Sequence, residues 1–401
     1  MNIHETFVCI VGAGPAGLVT ALGLARAGVP FVLLDDGDGP VKESRGLVVH
    51  AGALEVLDEL GVAAELLERG TRVGTFRVAV RGHALMHIPL GTVPTAFPYF
   101  LIVAQAVTES VLRDRLAAQG HAILSGHRVT GVRQDGDGCE VTGKDAQGRP
   151  FAVRARCVAG ADGLHSTVRE QLGIGFPQHT YDTAFLTADV ELTGGPDRAL
   201  AHITPSRHGL LFMAPMPGGG WRLIISVRSP GGRRPQPPAL SEVQAHLRRR
   251  GLPHATVTTV HKSAGVLLHH GLADDFGRGL VALAGDAAHV HSPAGGMGMN
   301  TGIQDACDLA ATLAAVHGGA DADTMLAGYR RRRMAAAGQV VGFTDRLMRL
   351  VSLDTMAVHV VRTAAFALAG LVPAIGRRAA LMVSCVTRTP AWTGAPRLPA
   401  P

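Results

Sequence analysis

Asp286 closes the apolar run LVALAG of residues 280–285, and a loop rich in glycine and methionine follows it: Gly295, Gly296, Met297, Gly298, Met299, then Asn300. An aspartate at the carboxyl end of a parallel strand stands where open α/β sheets bind ligands, and its oxygens suit the hydroxyls of a polyol. Glycine-rich backbone over 292–300 can pass closely across a flat object. Pro293 has no N–H and stiffens that loop. A helix predicted from about Thr301 aims its positive end back at the same point, where it would stabilise an anion.

A second chemical motif lies at the start of the chain. FVCIVGAGPAGLVTALGLARAG predicts a strand over 7–11, a turn over 12–17 and a helix to about Ala27. Gly12 permits the tight turn, Gly14 lets a pyrophosphate reach the backbone, and Gly17 allows helix and strand to pack closely. The next strand, PFVLLDD, ends in Asp35, eighteen residues after Gly17. A carboxylate at that distance accepts hydrogen bonds from an adenosine ribose, with Asp36 as the rival. This turn serves NAD and FAD alike. Residues 155–172, ARCVAGADGLHSTVREQL, predict a strand, a turn carrying Asp162 and Gly163, and a helix capped by Ser166, with Arg169 in reach of Asp162. The stretch at 285–300 decides between the dinucleotides. A flavin has a ribityl chain of hydroxyls, a flat ring, and negative charge on that ring when reduced, and each has its counterpart in the loop.

These motifs carry a resemblance. GAGPAG at 12–17, ADGLHSTVR at 161–169 and GDAAHVHSPAGGMGMN at 285–300 match, in order and spacing, the single-component FAD-dependent aromatic hydroxylases with the p-hydroxybenzoate hydroxylase fold. ESRGLVVHAGALEVLDELGV (43–62), VAQAVTESVLRDRL (103–116) and YRRRRMAAAGQVVGFTDRLMRL (329–350) are similar to further segments of that family. The resemblance implies FAD contacts from Gly12, Gly14, Ala16, Gly17, Asp35, Arg45, Gln105, Asp286, Gly298, Met299 and Asn300. It places Asp162 near the pyrophosphate and the nicotinamide path, and the Val129 backbone near adenine. Arg45, holding or gating the flavin, and the Pro293 backbone are the implied catalytic groups. NADPH or NADH is the implied transient reductant, with no nucleotide domain of its own. The implied reaction is hydroxylation of an aromatic by O2 through a flavin C4a-hydroperoxide kept from water. A Baeyer–Villiger or epoxidising reaction is the alternative on this scaffold. A non-hydroxylating FAD oxidoreductase or an FAD-holding binding protein is the alternative of another class.

The elements that position these groups predict an α/β fold: a Rossmann-like FAD-binding domain with an inserted β-sheet substrate domain and a C-terminal helical segment. The FAD-binding parts are expected at 1–75, 100–180 and 271–345, and the substrate sheet at 76–99 and 181–270. Residues 346–401 are expected to form C-terminal helices and a disordered tail. GLLFMAPMPGGGWRLIISVRS (209–229) predicts a hairpin, and 241–244 a capping box opening a short helix. Leu210, Phe212, Met213, Ala214, Trp221 and Leu223 are expected to line an apolar cavity without an arginine pair suited to a small benzoate. A polycyclic or indole-bearing natural product is the expected substrate. His50, His83, His87, Phe97 and Tyr99 are further candidates for the cavity.

Composition sets the remaining bounds. The net charge is +6 and the pI near 9.4, yet the chain has three tyrosines and two tryptophans. The basic runs at 233–234, 248–250 and 330–333 therefore lack aromatic stacking partners, which argues against nucleic acid and for solvated helix faces. The five cysteines show no ligand spacing, and His289, His291 and the His269–His270 pair complete no metal set. Scattered thiols and an N-terminus without a secretory signal point to the cytoplasm. TAAFALAGLVPAI (363–375) falls short of the ~20 residues of a membrane span and is expected to be a buried C-terminal helix, with a membrane-surface contact as the alternative. A monomer or homodimer is expected, without the thioredoxin-like C-terminal domain of phenol and many polyketide hydroxylases.

Overall fold

The computed structural model describes residues 2–39, 46–292, 295–352 and 356–386. Its first sheet runs in the order Gly277–Arg278, Val281–Leu283, Pro150–Gly160, Asn2–Val11, Phe31–Leu34 and Ile123–Leu124, with Gly138–Lys144 and Arg128–Asp135 joined antiparallel beside Pro150–Gly160. The central pairs are parallel. Strands covered on both faces must be apolar throughout, and Val8, Cys9, Ile10, Leu33, Val158 and Leu283 are accordingly buried. The first strand begins at Asn2, earlier than its apolar run, because register with Pro150–Gly160 extends it. The helices Pro15–Arg26 and Gly298–His317 pack together on this sheet.

The second sheet is almost wholly antiparallel. Its order is His289–Val290, Thr256–Leu272, Gln178–Thr193, Trp221–Arg228, Gly209–Pro215, Ala201–Ser206, Thr75–Val80 and His83–Pro89. Side chains alternate across such strands. Leu211, Met213, Trp221, Leu223 and Ile225 form one buried cluster with Val243 and Leu247 of the helix Leu240–Arg249. Leu210, Phe212, Arg222 and Ile224 take the other face and line a cavity. Of the six expected cavity residues, Met213, Trp221 and Leu223 are thus corrected: they belong to the covered face. Ala214 packs with Phe76 and Phe100 instead. The helix Leu240–Arg249 starts after Ala239, so Ser241 lies inside the first turn and caps nothing. Gln244 instead donates to the Ala255 carbonyl at 2.9 Å and accepts from the Val257 N–H at 2.7 Å, tying helix to strand.

The helices Ala322–Ser352, Met356–Gly370 and Pro373–Val383 complete the described chain. The stretch 363–375 is not one buried helix. Pro373 cannot continue the preceding helix, and the pair bends by 102° there. Val361, Leu368 and Leu371 stand exposed. Its inner side presses on the edge strand His83–Pro89, where a Cβ at Gly370 would overlap the Leu85 carbonyl. No single helix among the described residues is long and apolar enough to cross a membrane. The basic runs are also not simply solvated. Arg333 is buried, and buried Arg250 donates to the Ser226 carbonyl at 2.7 Å.

Candidate active site

A cavity of ≈ 1220 Å³ lies between the two sheets. Its floor comes from the glycine turn and the loop around Asp286: Gly14, Pro15 and Ala16, then Gly285, Asp286, Gly298, Met299 and Gly302. Its roof is the apolar sheet face, with Phe185, Thr187, Phe212, Ile224 and Val266. The helices Ala322–Ser352, Met356–Gly370 and Pro373–Val383 close one side through Phe343, Phe366 and Met382.

The glycine turn is shaped on both sides. A Cβ at Gly17 would overlap the Gly12 carbonyl, whereas a Cβ at Gly14 would meet nothing within 4 Å. The first glycine is required by the chain itself, and the second fronts open space. Asp35 lies against this turn. Its Oδ1 accepts the Ala13 N–H at 3.0 Å and its Oδ2 pairs with Arg113 at 3.3 Å. Asp36 turns outward to exposed Arg128 at 3.1 Å.

One face of the helix Gln105–Ala118 ties the Gly46 loop to the glycine turn. Gln105 Oε1 accepts the Gly46 N–H at 3.0 Å, and its Nε2 donates to Glu109 at 2.9 Å. Arg113 reaches the Ala13 carbonyl at 3.0 Å and Asp35. Glu109 and Arg113 were not singled out in the sequence, although spacings of four and eight residues from Gln105 put all three on one helix face.

Opposite this helix, Asn300 is a clamp. Its Oδ1 accepts the His50 N–H at 2.7 Å, and its Nδ2 donates to the carbonyls of Val48 at 2.8 Å and Gly296 at 2.7 Å. The N–H groups of Gly298, Met299 and Asn300 open the helix Gly298–His317 and have no intrahelical acceptor. Beneath them His50 is stacked on Phe100 at 4.1 Å, with Cys385 Sγ 3.6 Å from its Nδ1. Burial lowers the His50 pKa to about 3, so its ring is neutral.

Behind Asp286, Asp305 is fully buried and accepts from the Gly285 N–H at 3.1 Å, while His289 Nε2 lies at 2.6 Å and Arg333 Nε at 2.7 Å. Burial would raise this carboxyl, but His289 and Arg333 outweigh it and hold it well below the usual carboxylate range.

Residues 5–344 match the family described as FAD binding domain. The chain belongs to that family. It is 35% identical over 350 residues to the 6-methylpretetramide 4-monooxygenase of Streptomyces rimosus, covering 86% of this chain and 62% of that protein. It is 33% identical over 358 residues to the rifampicin monooxygenase of Streptomyces venezuelae, covering 86% and 72%. The chain therefore spans less than two thirds of the first of these relatives. Among solved structures, the p-nitrophenol 4-monooxygenase of Pseudomonas putida superposes with a TM-score of 0.84 at 27% identity, covering 96% of this chain and 99% of that one.

The open space at Gly14, the cavity beyond it and the helix N-terminus at Gly298–Asn300 fit the phosphates and ring of an FAD. Gly14, Ala16, Gln105, Asp286, Gly298 and Met299 line the cavity. Gly12 and Gly17 shape the turn behind it. Val129 is buried in the strand Arg128–Asp135, next to the segment where the His127 N–H donates to the Asp35 carbonyl at 2.8 Å. Arg45 and Pro293 lie outside the described residues.

Four local readings change. Asp162 does not pair directly with Arg169: it accepts from Ser166 Oγ at 2.5 Å and the Val168 N–H at 3.0 Å. Burial pushes its pKa up despite these bonds. Ser166 does cap the helix, accepting the Arg169 N–H at 3.0 Å. The Arg169 guanidinium instead spans the Ala287 and Leu164 carbonyls, each at 2.9 Å. Met297 is buried with Val340 and Cys385, so Met299 alone of the two lines the cavity. The lining is also less apolar than the hairpin suggested. Asp189 stands between cross-strand neighbours Arg222 and Lys262, and Arg234, Arg362 and Arg378 line the cavity too. His50, His83, His87, Phe97 and Tyr99 do not line it. Among the described residues no group of three His, Cys, Asp or Glu side chains suits a metal ion.

Proposed function

We propose that the protein is an FAD-dependent monooxygenase that takes NADPH or NADH and O2 and hydroxylates a large aromatic compound, polycyclic or indole-bearing. The carrying observation is the single cavity that joins the backbone around Asp286 and Gly298 to the apolar face of the second sheet. Small-molecule pockets are commonly about 300–1,000 Å³. At ≈ 1220 Å³ this one has room for a flavin ring and a substrate larger than one ring beside it. The similarity to proteins named as monooxygenases supports the reading.

Bound FAD supplies the redox chemistry with dioxygen that no side chain can perform. The residues of this chain bind it, orient it and keep water away. Gly12, Gly14 and Gly17 with the helix Pro15–Arg26 would hold the pyrophosphate, Asp35 the ribose, and Asp286 a ribityl hydroxyl. The N–H groups of Gly298, Met299 and Asn300 at the start of their helix would hold the ring and would supply positive potential favouring its anionic reduced form. Asn300 and Gln105 hold the two loops on either side in place. Phe185, Phe212, Ile224 and Val266 exclude water from the reacting face.

The test is NADPH and NADH oxidation by the FAD-loaded protein with and without polycyclic aromatics. Ligand-stimulated oxidation, with one oxygen atom in the product on a ring carbon, is expected. Insertion beside a ketone would move the reaction to the Baeyer–Villiger type. No stimulation by any large ring system would overturn the reading.

A further inference from the structure

The helices Met356–Gly370 and Pro373–Val383 are apolar on both sides. Phe366, Ile375, Met382 and Val383 line the cavity. From the same helices Val360, Val361, Leu368, Leu371 and Val372 do not line it, and they are 59%, 68%, 66%, 78% and 44% exposed. A helix that only covers a core turns charged and polar residues outward. Isolated surface leucines need no explanation, whereas a contiguous apolar stripe does. Met356, Val360, Val361, Ala364, Ala365 and Leu368 recur at the spacing of one helix face and are all exposed, and Leu371 and Val372 continue the stripe at the bend.

The charge around this stripe has one sign. Residues 356–386 contain Arg362, Arg377 and Arg378 and no aspartate or glutamate. Arg362 is buried and Arg378 lines the cavity, whereas Arg377 is exposed midway along the second helix. Exposed Arg81 and Arg207 adjoin the first, where after burial they and Arg362 depress the pKa of His359. A second copy of this chain fits the face poorly, because a two-fold contact would bring each copy's arginines to an equally cationic surface. Neither helix alone is long enough to span a bilayer; the two together have the length, but they bend by 102° at their junction. Apolar helical surface flanked by arginine is the pattern of segments that lie in the plane of a membrane surface.

We propose that this bent helix pair seats the protein on an anionic phospholipid bilayer. Val361, Leu368 and Leu371 enter the boundary between headgroups and acyl chains, and exposed Arg81, Arg207 and Arg377 meet the phosphates. The cavity then lies one helix layer behind the membrane contact. The inference rests on the exposed face and not on the monooxygenase reading, so binding can be tested without any turnover.

The experiment is sedimentation of the FAD-loaded full chain with vesicles of phosphatidylcholine containing phosphatidylglycerol, against vesicles of phosphatidylcholine alone. Wild type is expected to sediment with the anionic vesicles and to be released by high salt, which screens charge beyond a few ångströms. The Leu368→Gln/Leu371→Gln variant is expected to bind at least about tenfold more weakly, with the flavin spectrum and Tm of the wild type. No binding to anionic vesicles, equal binding to both vesicle types, or unchanged binding by the variant would each overturn the proposal. A dimer in sedimentation velocity that the variant abolishes would assign the face to a second copy and overturn it as well.

Discussion

Asp305, inside the helix that begins at Gly298, accepts the backbone N–H of Gly285 at 3.1 Å. One buried carboxylate thus fixes the turn that presents Asp286 to the cavity, and it does so while balancing Arg333 at 2.7 Å. Asp305→Asn keeps the shape and removes the charge that faces buried Arg333. Breaking such a pair from one side costs about 3–5 kcal/mol. Urea unfolding should show that loss, together with weaker FAD retention. Stability within about 1 kcal/mol of wild type would show that Arg333 finds another partner.

Gly14 and Gly17 separate binding from folding. Gly17→Ala must displace the Gly12 carbonyl, so the apoprotein should lose about 2 kcal/mol or more. Gly14→Ala meets no protein atom within 4 Å, so the apoprotein Tm should hold while FAD affinity falls by tenfold or so. Calorimetry of the apoproteins with FAD titration reads both. Equal FAD affinity for Gly14→Ala and wild type would place the cofactor away from this turn.

His50 makes the protein acid-sensitive in a defined direction. Its pKa falls from 6.5 to about 3 on folding, through burial first and then His291 nearby. Between those values the unfolded chain binds a proton that the folded chain refuses, so this contribution is full above about pH 6.5 and is lost as pH falls toward 3. The slope from one such group is at most about 1.4 kcal/mol per pH unit. Other histidines share the sign, His246 among them, so the measurement is the difference between wild type and His50→Gln in unfolding free energy across that range. The variant should show the flatter profile.

Phe212 and Met213 are chain neighbours on opposite faces. Phe212→Ala enlarges the cavity, and the KM for a large aromatic should rise about tenfold with FAD affinity unchanged. Met213→Ala empties a packed position under the helix Leu240–Arg249, and should cost about 2–5 kcal/mol of stability with KM unchanged. Steady-state kinetics and thermal unfolding on both variants separate the two. A KM effect from Met213→Ala equal to that of Phe212→Ala would reverse the assignment of faces.

Much of the site's local structure was legible because it depends on near neighbours. The phosphate-type turn at 12–17, the acids ending their strands at Asp35 and Asp286, and the Ser166 cap each depend on residues within a few positions of one another. Gln105, Glu109 and Arg113 show the limit. Their spacing places them on one face, yet nothing in that spacing says that the face meets the glycine turn and the Gly46 loop. The partners of Arg169 were misread for the same reason, since the Ala287 carbonyl lies 118 positions away.

The amino-acid sequence by itself determined the alternation of strand and helix, the two cavity-facing turns and the family, because hydrophobic period and glycine position act through neighbouring peptide units. Tertiary structure alone decided which side of the hairpin 209–229 meets the cavity, which backbone groups Asn300 ties together, and that the last two helices turn leucine and valine outward. A strand with apolar residues on both faces carries no mark of which partner will cover each. An apolar helix likewise reads the same buried or exposed until the sheet beneath it is in place.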